Sequence, residues 1–209
     1  MKKAFVLIVL FVLPIVAYLF FASGVNNFGK LPVLTENVKE IDFSKDIRFK
    51  DKITVLGFLG TNVDSRKGNA FNLNQKIYKR FHEFNDFQFV MVVPNGTEDK
   101  VDEIKKELTT LSEIDKWNFV FATQEEIMAL YSSLKTDIQL DDRLGTSYVF
   151  IIDKNFKLRG RTKDEDEGTK YGFNSNSVAD LNNKMVDDIK IVLAEYRLAL
   201  KKNNTERIK

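Results

Sequence analysis

The chain has 209 residues, of which 44% are hydrophobic and 30% are charged, and it contains one histidine and no cysteine. This length predicts one globular domain, while the lack of cysteine excludes disulfides, thiol redox chemistry and thiolate metal ligands. The formal net charge of +2 comes from the two lysines before the first apolar run, so the charge pattern gives no support for nucleic acid binding.

The first segment of interest is the apolar run from Ala4 to Ala22. It is about nineteen residues long, which is close to the length that spans a bilayer as a helix. Lys2 and Lys3 precede it and Ser23–Gly29 is uncharged, so the positive-inside rule puts the N-terminus in the cytoplasm. A cleaved signal peptide is the alternative, although the run is long and Phe20–Gly24 is a poor cleavage site. We therefore expect a single-pass anchor in the inner, cytoplasmic membrane, with the domain on its periplasmic or outer face.

The next segments are a tether and the first strands. Residues 23–37 contain glycine, proline and few apolar side chains, which is typical of a tether. Ile41–Phe43 and Ile47–Phe49 are candidate short edge strands. Continuous apolar runs predict strands that are buried on both faces of a sheet. These strands are Ile53–Leu59, Phe87–Val93, the shorter Trp117–Ala122 and Tyr148–Asp153.

Four helices are predicted between and after these strands, from apolar residues at helical spacing. They run from Leu73 to Phe84, from a Thr97 cap to Leu111, from the capping box Thr123–Glu126 to Leu134, and from a Ser177 cap to Leu200. Residues 60–69 are predicted to be a loop. Residues 153–156 should turn into an antiparallel strand at residues 157–161, followed by an acidic loop at 162–176.

This order of elements predicts an α/β fold of the thioredoxin-like type, with a central mixed sheet, flanking helices and one N-terminal transmembrane helix. The expected organisation is a transmembrane anchor at 1–22, a tether at 23–37, a domain at 38–202 and a polar tail at 203–209.

Several segments in this order resemble one family. They are Leu31–Leu34, Val55–Thr61, Trp117–Thr123 and Ile151–Gly160. With the N-terminal anchor, they resemble the Sco/SenC proteins, which are membrane-tethered, thioredoxin-fold factors of cytochrome c oxidase assembly. The resemblance covers roughly residues 31–200 and implies a role in respiratory-complex assembly.

The resemblance also implies a copper site, which this chain lacks. The family holds copper with two cysteines in a CxxxC loop and a histidine before the hairpin. The matching positions are Val63, Lys67 and, from the spacing to Ile151, Gly145 or a neighbour. Valine and glycine offer no metal ligand, and lysine offers no thiolate. The resemblance therefore implies a degenerate site with no cofactor and no thiol reductase activity.

Other candidate sites are weaker. His82 has no second histidine to complete a metal or catalytic site, which favours a structural role over that of a metal ligand or general base. Carboxylates that could hold a hard cation lie near the lost copper site and in the acidic loop. These weak metal candidates are Asp64, Asp141, Asp142, Asp164 and Asp166.

The acidic loop and the strand before it hold four candidates for contact with a protein partner. Tyr171 and Phe173 could anchor a partner from the loop, or fold back onto the last helix. Arg159 and Arg161 could pair with the acids of the loop or with a partner.

Three functions are compatible with these observations. The first is a non-catalytic, membrane-anchored scaffold or accessory in cytochrome oxidase assembly, with a protein partner in the membrane or periplasm. The second is an ion- or ligand-binding module that uses carboxylates. The third is an enzyme with a non-thiol mechanism, which no recognisable nucleophile–base pair supports.

Overall fold

The computed structural model describes residues 9–18 and 29–207. Residues 9–18 are helical. They form part of the predicted membrane span at 4–22, whose other residues lie outside the described ones. Within the two described ranges, no helix combines the length and the apolar character needed to cross a bilayer.

A seven-stranded mixed sheet forms the centre of the domain. Its three parallel strands are among those predicted from continuous apolar runs, and the first two are buried along their whole length. The strands of this sheet are β1 (Val33–Thr35), β2 (Ile53–Leu59), β3 (Phe87–Pro94), β4 (Trp117–Ala122), β5 (Gly145–Ile152), β6 (Leu158–Arg159) and β9 (Phe173–Asn174). Two further strands, β7 (Arg161–Asp164) and β8 (Gly168–Lys170), form a separate hairpin.

The strand order across the sheet is β1-β6-β5-β2-β3-β4, and β9 pairs with β5. Strand β2 is parallel to β3, and β3 is parallel to β4, so helices must cross between them. Strand β5 is antiparallel to both β2 and β6, which confirms the predicted hairpin.

Four helices cover the two faces of this sheet, as the sequence predicts. Helix α1 is continuous through Lys67–Leu73, a π-helical turn Asn74–Tyr78 and Lys79–Phe81. Helix α2 is Glu98–Thr109, and α3 is Gln124–Ser133, which opens with the predicted capping box. Helix α4 comprises Val178–Asp180, a π-helical turn Leu181–Met185 and Val186–Arg207.

The sheet separates two apolar cores. Helices α1, α2 and α4 pack on one face, around an aromatic group in which Trp117 stacks on Phe89 with ring centroids 4.6 Å apart. Helix α3 and residues 38–49 cover the other face, where Phe58, Tyr131 and Phe150 pack edge to face. Both cores therefore rest on the alternating side chains of β2, β3 and β5.

Some local predictions are wrong. Ile41–Phe43 and Ile47–Phe49 are not strands, because the Glu40 carboxylate accepts the backbone N–H groups of Ile41, Phe49 and Lys50. The predicted loop at 60–69 contains a 3₁₀ turn, Val63–Arg66, and the first residues of α1.

Two more predictions change in detail. The predicted loop at 162–176 contains the β7–β8 hairpin and β9. Thr97 precedes α2, but its hydroxyl donates to the Pro94 carbonyl oxygen at 2.7 Å instead of capping the helix.

Candidate functional site

The positions that the family resemblance aligns with copper ligands lie where the carboxyl end of β2 meets the start of β5. Leu59 pairs with Gly145 in the sheet, and the Thr61 N–H donates to the Arg143 carbonyl oxygen at 2.8 Å. Gly60 has a φ of +69°, and an added Cβ there would lie 2.5 Å from the same carbonyl oxygen. The chain thus needs glycine at this crossing, which holds residues 60–66 against residues 141–147.

The three aligned positions offer no copper ligand in three dimensions either. Val63 is 0% exposed and belongs to the apolar core. Lys67 points toward α2, with its Nζ 3.2 Å from Glu107, 3.6 Å from Glu103 and 3.3 Å from Asp64. Its hydrogen bond to Glu107, followed by that to Asp64, raises the pKa of Lys67 above its usual value, so the amine keeps its proton.

Arg66 occupies the space beside Gly145, and no local pattern marks it as a site residue. A Cβ added at Gly145 would lie 2.7 Å from Arg66 Nε and 2.9 Å from the Leu59 carbonyl oxygen. Arg66 Nε donates to that carbonyl at 3.0 Å, one terminal nitrogen donates to Ser147 Oγ at 3.2 Å, and the other donates to Asp141 Oδ2 at 2.5 Å. The Arg66 side chain is only 12% exposed, so it occupies the interior of the site.

Asp141 is the counterion of this arginine. Its Oδ1 accepts the backbone N–H groups of Arg143 and Gly145, each at 2.9 Å. Burial opposes ionisation of Asp141, but these two N–H donors and the Arg66 guanidinium outweigh it, so the pKa of the carboxyl lies below its usual range. Asp141 therefore stays ionised and paired at neutral pH.

A polar network closes the side of the site. Ser147 Oγ also accepts from Asn176 Nδ2 at 3.0 Å, and the Ser147 carbonyl oxygen accepts both the N–H and the hydroxyl of Ser175. Asn69 of α1 donates to Ser175 Oγ at 2.7 Å, and both residues are buried. The network ties α1, β5 and the start of α4 together around the arginine.

The site does not fit a copper ion. A guanidinium stays protonated in proteins and offers no lone pair to a metal, and its positive charge opposes a second cation. Within residues 9–18 and 29–207, no group of three or more histidine, cysteine or acidic side chains is placed to hold a metal ion. The arrangement can position a loop, but none of its groups is a nucleophile paired with a base.

The carboxylate candidates of this region are separated from one another. Asp64 is exposed and pairs with Lys67, whereas Asp141 pairs with Arg66. Asp142 is exposed. The structure therefore does not bring these three carboxylates together around one point.

The acidic loop is neutralised by lysines that the sequence reading did not select. Lys184 of α4 lies 2.6 Å from Asp164 and 2.7 Å from Asp166. Lys170 is fully buried, with its Nζ 2.6 Å from Glu167, 3.1 Å from Asp180 and 5.4 Å from the centre of the Phe173 ring. These ion pairs fasten the β7–β8 hairpin to the start of α4.

All four partner candidates are engaged within the domain. Phe173 is 0% exposed, so the structure favours the alternative in which it folds back onto the core. Arg161 makes a bidentate pair with the buried Asp188, at 2.8 Å from Nε to Oδ2 and 2.9 Å from the second nitrogen to Oδ1. Tyr171 is half-buried against the second core.

Arg159 is the most buried arginine of the domain region and is not on a surface that a partner could reach. It donates to Asp153 at 2.9 Å, to both oxygens of Glu195 at 2.8 and 2.7 Å, and to the Leu31 carbonyl oxygen. The Leu31 N–H in turn donates to Glu195 at 2.8 Å. Arg159 thus holds Leu31, a buried residue of the predicted tether, against α4.

His82 lies just after α1, half-buried, with its ring stacked on Tyr78 at 5.4 Å between centroids. Its Nδ1 is 3.3 Å from the Tyr78 carbonyl oxygen. These contacts are those of a structural residue, in line with the reading from sequence.

No protein-family model matches the sequence, and no curated protein matches it at a significant level. Solved structures do resemble it. A candidate protein disulfide isomerase of Bacteroides thetaiotaomicron aligns with a TM-score of 0.52 and 12% identity, over 79% of this chain and 94% of that one. The fold is thioredoxin-like.

Two further structures show the range of the similarity. A candidate electron transport protein of Aquifex aeolicus aligns with a TM-score of 0.50 and 16% identity, over 78% of this chain and 98% of that one. The soluble domain of Sco1 from Bacillus subtilis aligns with a TM-score of 0.45 and 17% identity, over 77% and 94% of the two chains. At these identities the likeness concerns the fold alone, and this chain has no cysteine for thiol–disulfide chemistry.

Proposed function

We propose that this chain is a membrane-anchored, non-redox domain of Sco type that serves as a scaffold or accessory in the assembly of a respiratory complex, cytochrome oxidase in particular. The observation that carries the proposal is the Arg66–Asp141 pair. The pair fills the position beside Gly145, where the family resemblance implies a copper ligand. The Arg66 guanidinium there donates hydrogen bonds to three different groups.

The filled site favours a binding role over a catalytic one. A site that had merely lost its ligands would leave an unpaired polar pocket, and buried polar groups without partners are costly. Here the guanidinium, the carboxylate and the surrounding hydroxyl and amide groups satisfy one another. The fold is therefore stabilised as a rigid body, which is what a scaffold presents to its partners.

The membrane part of the proposal is supported by the sequence. The apolar run at 4–22 has the length of a bilayer span and is preceded by lysines. The same reasoning puts the domain on the periplasmic or outer face of the inner membrane.

The alternative, an ion-binding module, has less support. Four of the five candidate carboxylates already lie within 3.3 Å of a lysine or arginine nitrogen, so a metal ion would have to displace a positively charged side chain from each of them. Titration calorimetry with calcium, manganese and zinc tests this alternative, and a saturable heat at one equivalent would favour it over the scaffold.

The proposal is tested by capture of the tagged full chain from its own membrane, together with deletion of its gene. We expect respiratory-complex subunits or assembly factors in the captured material, and a reduced level of assembled oxidase after deletion. A matched capture with Arg66→Met controls for the site, since a scaffold should retain its partners when the site is altered but folded. An unchanged oxidase level with no respiratory partner captured would contradict the proposal.

A further inference from the structure

One end of the domain carries two adjoining clefts next to the point where the tether enters. The larger cleft has a volume of about 660 Å³ and lies between Lys30–Val33, the turn at 153–157 and the residues 195–199 of α4. The second cleft, of about 370 Å³, lies between the turn at 83–86, Lys154 and α4. Tyr196 lines both clefts, and we call the region of the surface that contains them the tether face.

Exposed apolar side chains surround these clefts. Phe84 is 44% exposed on the rim of the second cleft, and Val33 and Leu198 are 40% and 36% exposed on the larger one. Within residues 29–199, the other large hydrophobic side chains with comparable exposure are Leu111, Met128 and Val178. The tether face thus gathers apolar groups around a single pair of clefts.

Aromatic and basic groups accompany the apolar ones. The Tyr196 ring lies 5.5 Å below Lys154 Nζ, and its hydroxyl accepts from Asn155 at 3.0 Å. Lys30 and Arg197 are exposed on the same clefts. An aromatic ring with a polar tip, flanked by the exposed Lys30 and Arg197, suits the headgroup region of a bilayer, where one side of the group is apolar and the other is wet.

The length of the tether limits how far this face can lie from the membrane. Seven residues, Ser23–Gly29, separate the predicted span from Lys30, and they reach at most about 25 Å when fully extended. The opposite end of the domain is about as far away again, because α4 rises by about 30 Å between Val178 and Leu198. Of the two ends, only the tether face is held next to the lipid.

From these observations we infer that the tether face rests on the bilayer surface, with Phe84 and Leu198 inserted among the lipid headgroups. The inference depends on the membrane anchoring that the proposed function includes. It orients the domain, because the parallel strands β2 and β3 begin at this face, at Ile53 and Phe87, and end toward Arg66. The filled site then points away from the membrane, toward soluble partners or the outer parts of a membrane complex.

The test uses the full chain in vesicles of phosphatidylcholine and phosphatidylglycerol, with and without phospholipids brominated on their acyl chains. Trp117 is the only tryptophan and is 6% exposed, so the wild-type emission serves as a baseline. Phe84→Trp and Leu198→Trp each add a probe on the tether face, and the second variant serves if the first does not fold. Val178→Trp is the matched control, at the other end of the same helix with an exposure of 44%.

We expect brominated lipid to reduce the emission of Phe84→Trp and Leu198→Trp and to leave Val178→Trp and the wild type unchanged. Flotation of the same vesicles, after alkaline extraction, reports anchoring separately. If the chain floats but neither tether-face probe is quenched, or if all three are quenched equally, the inference is overturned while the anchoring stands. If the chain does not float with the vesicles, the proposed membrane anchoring is contradicted, and so is the orientation that depends on it.

Discussion

Replacement of Arg66 by methionine tests the account of the filled site. The change keeps the aliphatic stem and removes the donors to Leu59, Ser147 and Asp141. Ser147 keeps its hydrogen bond from Asn176, and Asp141 keeps two backbone donors, so each of these two residues loses only part of its hydrogen bonding. The Leu59 carbonyl oxygen loses a charged donor in a buried position, which costs about 1–3 kcal/mol.

The Arg66–Asp141 ion pair itself adds little to this loss of unfolding free energy. The Asp141 side chain is 47% exposed, and pairs with such exposure contribute at most about 1 kcal/mol. We therefore expect Arg66→Met to lower the free energy of unfolding by about 2 kcal/mol in total. With a denaturant slope on the order of 2 kcal/mol per molar urea, the midpoint should fall by about 1 M.

The assay is urea unfolding of the full chain in detergent, followed by the emission of Trp117. Arg143→Met is the matched control, because Arg143 lies in the same loop, is exposed, and contributes its backbone to the hydrogen bonds described above. A double-mutant cycle with Asp141→Asn isolates the ion pair. A midpoint for Arg66→Met equal to that of the control, at an unchanged slope, would refute the reasoning.

Three further outcomes follow from the same structure. Gly145→Ala should destabilise the domain, because its Cβ would meet the Leu59 carbonyl oxygen, whereas Gly68→Ala in α1 has open space and should stabilise it by up to about 1 kcal/mol. Arg159→Met should cost about 3–5 kcal/mol, because it leaves buried carboxylates unpaired, and limited proteolysis should then release the tether. The folded pKa of Asp141 lies below its unfolded value near 3.8, so this carboxylate contributes stability above that pH and loses it as the pH falls through the folded pKa. The stability difference between the wild type and Asp141→Asn should therefore shrink in acid.

Each of these has an opposing result. Equal unfolding midpoints for the two glycine variants would show that the Gly145 contact is not tight. If Arg159→Met is as stable as the wild type and its tether is still protected from protease, Arg159 does not hold the tether against α4. A difference between wild type and Asp141→Asn that stays constant from neutral to acid pH would mean that the carboxylate is not stabilised by its donors.

The central strands were predictable because their pattern needs no tertiary information. Ile53–Leu59 and Phe87–Val93 are continuous apolar runs of strand length, and burial on both faces of a parallel sheet is the usual outcome of such runs. The capping box at Thr123 was predictable for the same reason, since its two hydrogen bonds join residues three apart.

The wrong or missed predictions arise where a side chain bonds to residues that the local sequence pattern does not identify. Residues 41–49 read as edge strands, but the single carboxylate of Glu40 replaces the ladder partners that a strand would need. Lys170 and Lys184 look like ordinary surface lysines in the sequence, and only the approach of α4 to the hairpin pairs them with the acidic loop.

Sequence reasoning identified only part of the site. The family resemblance pointed to Val63, Lys67 and Gly145 or a neighbour, and it implied which ligands are missing. Arg66 was missed because its partner Asp141 is 75 residues away, and nothing local marks the pair. The one available signal was the glycine at 145, since a position without a side chain leaves room for a neighbour to fill.

The most direct measurement of the central claim is a Cu(I) competition titration of the purified wild-type chain against a chromophoric chelator, with Arg66→Leu alongside it. The account predicts that neither protein withdraws copper from the chelator, because a bonded guanidinium fills the site in the first and no ligand is supplied in the second. Retention of one equivalent of copper by the wild-type chain would contradict the account.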